Sequence, residues 1–226
     1  MIGSARLLPG EASLAHHGVL FLDELPEFRR DVLEALRSPL EEGNIHLTRA
    51  MGTTTFPAAF MLVAAANPCP CGWTNHPSIS CRCSPRQKEN YQNRLSGPIQ
   101  DRIDMQVWVH PISGADLLKK KPSESSESVR KRVLAARELQ KHRLENLGVL
   151  CNAQISGHKT QDVLSISSAD LQWLTHLLDQ QIFSARSWNK ILKVARTIAD
   201  LDERETINKT HLTEAISYKQ SLWSEQ

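Results

Sequence analysis

The residues in this chain whose types and spacing can do chemistry are two adjacent acids, four clustered cysteines, one asparagine and a few arginines. Asp23 and Glu24 close the stretch HGVLFLDEL. One carboxylate there can hold Mg²⁺ and the next can orient an attacking water, while a solvated strand-end turn uses the same pair of residues. Cys69, Cys71, Cys81 and Cys83 form two C-x-C pairs separated by nine residues. Four thiolates so close suit a tetrahedral Zn²⁺ site, although C-x-C is tighter than the usual C-x₂-C and His76 could replace one ligand. Reduced structural thiols or a redox pair are the other chemistry open to them. Asn67 ends a second apolar run, where its amide either caps the turn before Pro68 or faces the same cleft as the acids. Arg94 and Arg102 flank a Ser-Gly-Pro break. Each is either a solvated charge or a guanidinium aimed at a neighbouring subunit's phosphate.

The elements that must position these groups can be read from the periodicity. Val19–Leu22 is an unbroken apolar run, expected as a central strand covered on both faces, with ligands beyond its carboxyl end. Glu27–Leu40 carries Phe28, Val32, Leu33, Leu36 and Leu40 at helical spacing, and Gly43 is placed to end that helix. Ile45–Phe56 reads as a hairpin with its turn at Ala50–Thr53, exposing Arg49 and Met51. That tip is either an ordinary charged edge or a DNA-contacting loop. Phe60–Ala66 reads as a second buried strand, Pro85–Leu95 as a helix and Met105–Val109 as an alternating strand. Residues 113–128, with Lys119–Lys121, Pro122 and several serines, read as a linker. Four amphipathic helices are expected beyond it, over Glu127–Leu147, Ser167–Phe183, Trp188–Leu201 and Thr210–Trp223. The second of these opens on an S-x-x-D cap.

With 226 residues the chain can bury a real core, and 40% hydrophobic with 23% charged residues is ordinary for a globular protein. A net charge of +2 excludes a strong overall field, so any nucleic-acid contact must be local. No apolar run approaches the ~20 residues of a membrane-spanning helix, and Met1–Gly10 has no signal-peptide core. No membrane partner and a cytoplasmic location are therefore expected. The fifth cysteine, Cys151, stands alone, and the clustering of the rest favours metal over a disulfide framework.

These pieces, in this order, resemble the ComM/YifB group of Mg-chelatase-like AAA+ ATPases. The resemblance rests on PGEASLAHHGVLFLDELPEF, LTRAMGTTTFPAAFMLVAAANPCPCG, CRCSPRQKENYQNRLSGPIQDRID and SARSWNKILKVARTIADL, and it covers nearly the whole chain. It implies a fold of class α/β: a partial AAA+ core over residues 1–112, a linker over 113–128 and an all-α lid over 129–226. In that resemblance Asp23 and Glu24 look like the Walker B pair, with Asp23 on Mg²⁺ and Glu24 polarising the hydrolytic water of ATP. Asn67 matches sensor 1, Arg102 resembles the arginine finger and Arg186 resembles sensor 2. The hairpin matches the pre-sensor-1 insertion, where Arg49 would meet DNA phosphate. Cys69, Cys71, Cys81 and Cys83 match the family's cysteine loop.

The resemblance further implies, for the intact protein, a homo-oligomeric ring that couples ATP hydrolysis to DNA branch migration in natural transformation. One departure is large: nothing in the sequence reads G-x-x-x-x-G-K-[ST]. Without that loop's amides and lysine the β- and γ-phosphates have no cradle. The expectation is a C-terminal part of a motor that binds ATP poorly and hydrolyses little or none alone. A non-enzymatic zinc-containing assembly module and a chelatase-type ATPase subunit are the alternatives.

Overall fold

A computed structural model describes residues 8–49, 52–112, 124–155, 163–179 and 185–219. The chain divides into two compact units, Met1–Ile103 and Asp104–Gln226, and each is described by itself.

The first unit is built on two parallel strands, β1 (Val19–Leu22) and β4 (Met61–Ala64), paired Val19 to Met61 through Leu22 to Ala64. Between them in sequence lie α2 (Arg30–Ala35), α3 (Arg37–Glu42) and the antiparallel hairpin β2 (Asn44–Arg49) with β3 (Gly52–Pro57). A short α1 (Glu11–Leu14) precedes β1, and α4 (Pro85–Gln92) and α5 (Gly97–Gln100) follow the cysteine loop. Ser84 caps α4 in a reciprocal box with Gln87, which satisfies two otherwise orphaned backbone donors.

Four sequence expectations are corrected here. β1 is not covered on both faces. Val19 and Phe21 remain 57% and 59% exposed, and their register partners Met61 and Val63 share that open face. A strand is covered only when elements lie on both sides, and the described residues supply one side. The single helix over Glu27–Leu40 is instead a 3-10 turn (Leu25–Glu27) followed by α2 and α3. Pro39 explains the break, because it has no N–H to give Ala35 and its ring crowds that carbonyl. The hairpin turn is shorter than Ala50–Thr53, since Arg49 already pairs with Gly52 and Thr48 with Thr53. Ala50 and Met51 lie outside the described residues. Finally, Met105–Val109 joins no strand ladder among the described residues. The Gln106 N–H is satisfied instead by the carbonyl of Tyr218 at 2.7 Å. Gly43 does end α3, at φ +67, as expected.

The second unit is helical: α6 (Ser126–Leu144), α7 (Ser168–Asp179), α8 (Ala185–Leu201) and α9 (Lys209–Ser217). Ser167 caps α7 by accepting from the Asp170 N–H at 3.1 Å, as the S-x-x-D pattern predicts. Leu144, Leu164, Leu174, Ile191, Leu192, Ile207 and Leu212 are at the centre of one apolar core. On α6 the apolar positions Val129, Val133, Leu134 and Leu139 stay exposed, so that helix enters the core chiefly by its C-terminal end. The linker lysines Lys119–Lys121, with Phe183 and Trp223, lie outside the described residues.

A buried charge network crosses this core. Asp200 accepts from Arg143 at 2.8 and 2.7 Å, from Arg196 at 3.1 Å and from the Asn152 amide at 2.9 Å. Burial pulls Arg196 below its ordinary pKa and the Asp200 carboxylate opposes that pull. Arg196 also donates to the carbonyls of Arg204 and Glu205, tying α8 to the segment that leads into α9. Removing the anion would strand two guanidinium groups. Asp200→Ala is therefore expected to lower unfolding stability by roughly 3–5 kcal/mol. Urea unfolding followed by circular dichroism checks this, and a loss no larger than that of an exposed control such as Glu203→Ala would refute it.

Candidate functional site

The parallel pairing of β1 with β4 brings two chain ends to one edge. Beyond the last register pair the Ala65 N–H donates to Leu22 and the Leu25 N–H donates to Ala65, both at 2.9 Å. The segment Asp23–Leu25 therefore runs beside Ala65–Asn67. Asp23 caps its own turn, accepting the Glu24 N–H at 2.9 Å. Glu24 adopts the left-handed conformation, φ 50 and ψ 45. That conformation costs a non-glycine residue about 1–2 kcal/mol and, in folded proteins, concentrates at functional sites. No sequence signal marked it. Asp23, Glu24 and Asn67 are all exposed at this edge, so two carboxylates and one amide face solvent together.

The arginines divide. Arg94 reaches Glu27 at 2.6 Å and the Pro26 carbonyl at 3.2 Å, and so clamps the turn that follows the acid pair to the chain after α4. Arg102 lies inward, its side chain only 6% exposed. It donates to Glu41 at 2.7 Å, to the Pro98 carbonyl at 2.6 Å and to the Arg37 carbonyl at 3.3 Å, joining α3 to α5. Nearby, the Ser96 hydroxyl and then Arg37 hold the Glu34 carboxyl below its ordinary pKa. Arg186 is exposed in the first turn of α8, in the other compact unit. Arg49 is the last residue of β2, next to the hairpin tip.

The cysteine loop closes on itself. Sγ–Sγ distances are 3.4 Å for Cys69 to Cys71, 3.7 Å for Cys69 to Cys81 and 3.5 Å for Cys71 to Cys81. All four sulfurs, that of Cys83 included, lie within 4.8 Å of one another. A tetrahedron with Zn–S bonds of about 2.3 Å has edges of about 3.8 Å, whereas a disulfide needs about 2.05 Å. The spacing fits a shared cation, and all four cysteines are free thiols. The sharp reversal after Cys71 is made by Gly72 at φ +78. The backbone N–H groups of Trp73 and Arg82 point at Cys71, whose thiol falls to about 6. Burial works against ionising Cys69, but hydrogen bonds from the Thr74 hydroxyl and backbone outweigh it and leave that thiol below its ordinary value. Burial, together with the neighbouring Cys71, pushes Cys83 up to about 12. Four thiolates cannot coexist here without a cation, and a divalent metal supplies that charge. His76 is not one of the group. Its Nδ1 accepts the N–H groups of Ser78 and Ile79 at 3.2 and 3.0 Å, so it caps the loop.

The magnesium chelatase, subunit ChlI family matches residues 1–117, and the magnesium chelatase, subunit ChlI C-terminal family matches residues 123–219. The chain belongs to the magnesium chelatase ChlI family. It is 47% identical to YifB of Escherichia coli over 213 residues, covering 93% of this chain and 41% of that protein. It is 43% identical to the competence protein ComM of Haemophilus influenzae over 212 residues, covering 93% of this chain and 40% of that one. Protein Mb2921c of Mycobacterium bovis is 40% identical over 219 residues, covering 97% and 43%. The chain thus spans about two-fifths of the length of these relatives.

In this ChlI family chain the mixed α/β unit is a partial AAA+ core and the helical unit follows it. The structure brings Asp23, Glu24 and Asn67 to one edge and Cys69, Cys71, Cys81 and Cys83 into one cluster. It leaves Arg102 turned into its own unit and places Arg49 at the hairpin end. Arg94, as a clamp on the acid turn, was visible in sequence only as one of two arginines beside a break. Its pairing with a residue 67 positions away carries no local signal.

The thiol ordering has a direct readout. In metal-free, reduced protein at pH 7, iodoacetamide is expected to alkylate Cys71 before Cys83, since Cys71 is largely thiolate there and Cys83 is not. As pH falls through about 6, Cys71 takes up its proton and its alkylation slows, while Cys83 remains the slower of the two. Peptide mass spectrometry of a timed quench checks both. Equal rates for the two cysteines at pH 7 would contradict the arrangement.

Proposed function

We propose that this chain is a C-terminal part of a Mg-chelatase-like AAA+ motor that, in its intact form, couples ATP hydrolysis to DNA remodelling. The observation that carries the proposal is the parallel register of β1 and β4, which sets Asp23, Glu24 and Asn67 side by side at the carboxyl edge of the sheet. Open α/β sheets bind ligands at such an edge. The donor set there suits a hard cation, so Asp23 is the residue that would hold Mg²⁺ on ATP. Glu24 would orient the attacking water, and Asn67 would help place it near the terminal phosphate. The sequence contributes no amide cradle or lysine for the phosphates, so the chain alone is expected to hydrolyse little ATP. Arg102 is proposed to act on a neighbour's nucleotide in a homo-oligomeric ring. To do so it must exchange Glu41 for phosphate. Arg186 is proposed to report nucleotide state to the helical unit.

The name of the ComM relative, a competence protein, supports DNA as the substrate acted upon. Arg49, at the end of β2, is the residue proposed to meet DNA phosphate. The cysteine cluster is proposed to hold one structural Zn²⁺, which the sulfur spacing supports.

Glu24→Gln tests the acid pair in a full-length version carrying a phosphate loop. Nucleotide affinity should stay within about twofold while turnover falls by roughly 10²-fold or more, the usual contribution of a positioned general base. Unchanged turnover would remove Glu24 from its role. In the same protein, single-stranded or branched DNA should raise the ATPase rate and Arg49→Ala should blunt that rise. A rate indifferent to every DNA form would sink the DNA-motor proposal and favour a chelatase-type subunit.

A further inference from the structure

The cysteine cluster and the carboxyl edge of β4 are too closely joined to be independent. Cys69 follows Asn67 with only Pro68 between them, and Cys69 is fully buried. The loop folds back so that a Cβ on Gly72 would lie 3.9 Å from Oδ1 of Asn67. Tyr91, buried on α4, closes the third side. Its hydroxyl takes the backbone N–H of Asn67, and the charges of Glu27, Cys69 and Arg94 act on that same hydroxyl. Arg94 in turn holds the Pro26 carbonyl and Glu27, directly after the acid pair. The sulfur cluster therefore meets the Asn67 end of β4 through Cys69 and Gly72, and Tyr91 holds that same end by its hydroxyl.

A loop of two C-x-C pairs has little else to hold its two arms together. Among its described contacts, the Cys69–Cys81 and Cys71–Cys81 sulfur approaches, the Thr74 hydroxyl bond to Cys81 and the Arg82 N–H aimed at Cys71 bridge the arms. Thiols alone bond weakly, and the sulfurs repel once ionised. A cation bound by all four converts that repulsion into a rigid joint.

We propose that the metal in the Cys69–Cys71–Cys81–Cys83 site is what fixes Asn67 at the nucleotide edge, with Tyr91 as the positioning residue that transmits it. The inference rests on the zinc and sensor assignments proposed above. It adds that metal occupancy sets the conformation of the edge. Loss of the metal, by chelation or by oxidation of the thiols to disulfides by an external oxidant, would release Asn67 without disturbing the helical unit. In the disulfide case each pair of thiols gives up two protons and two electrons to the oxidant.

The experiment uses the reduced 226-residue chain with Zn²⁺ alone as ligand, and compares zinc-loaded with chelator-stripped protein. Elemental analysis gives occupancy and amide hydrogen exchange gives local order. The expected result is one zinc per chain and exchange at Ala65–Asn67 slowed about tenfold or more by zinc, with α8 unchanged as the internal control. Tyr91→Phe should retain one zinc per chain and lose most of that protection. Failure to bind zinc at all would overturn the metal assignment and the inference with it. Stoichiometric zinc with unaltered exchange at Ala65–Asn67 would overturn the inference alone and leave the metal site standing. Full zinc-dependent protection in Tyr91→Phe would remove Tyr91 from the path.

Discussion

The parallel pairing of β1 with β4 is the constraint on which the first unit depends. Parallel strands share a direction, so their carboxyl ends must emerge at the same edge. The backbone bonds that continue past the last register pair keep Asp23–Leu25 beside Ala65–Asn67. Everything inserted between the two strands, α2, α3 and the hairpin, can vary without moving those ends apart. The left-handed turn at Glu24 is held by the same contacts, since Leu25 is tied to Ala65 on its far side.

Around this edge the chain adds charge in two different ways. Arg102 is buried and satisfied by one carboxylate and two carbonyls, an arrangement that stiffens α3 against α5. Arg94 is half exposed and holds the turn after the acids by a single carboxylate and a carbonyl. A buried guanidinium pays a desolvation penalty on leaving its partner's carboxylate only if nothing replaces it. In the arginine-finger role proposed above, a phosphate would replace it. The helical unit uses the same residue types purely for cohesion, with Asp200 shared by Arg143, Arg196 and Asn152 at its centre.

The cysteine loop shows how little sequence spacing says about geometry by itself. C-x-C is too tight for the common zinc-binding turn, and His76 lay between the pairs as a plausible substitute. Gly72 at φ +78 reverses the chain directly after Cys71, and His76 Nδ1 accepts two backbone N–H groups. Backbone donors then sort the thiols, lowering Cys71, while burial raises Cys83. None of this follows from counting residues.

What the sequence determined alone was whatever depends on neighbours along the chain. The strand–acid junction at Leu22–Asp23, the hairpin, the Ser167 and Ser84 caps, the Gly43 stop and the helical character of the second unit all have local causes in periodicity, capping chemistry or glycine's freedom. The tertiary structure decided what depends on partners far away in sequence. It left the Val19 and Phe21 face open and, among the described residues, denied Met105–Val109 a ladder. It turned Arg102 onto Glu41 and gathered four sulfurs beside Asn67. Burial and pairing are properties of the space a residue comes to occupy, and a one-dimensional pattern records the residue but not that space.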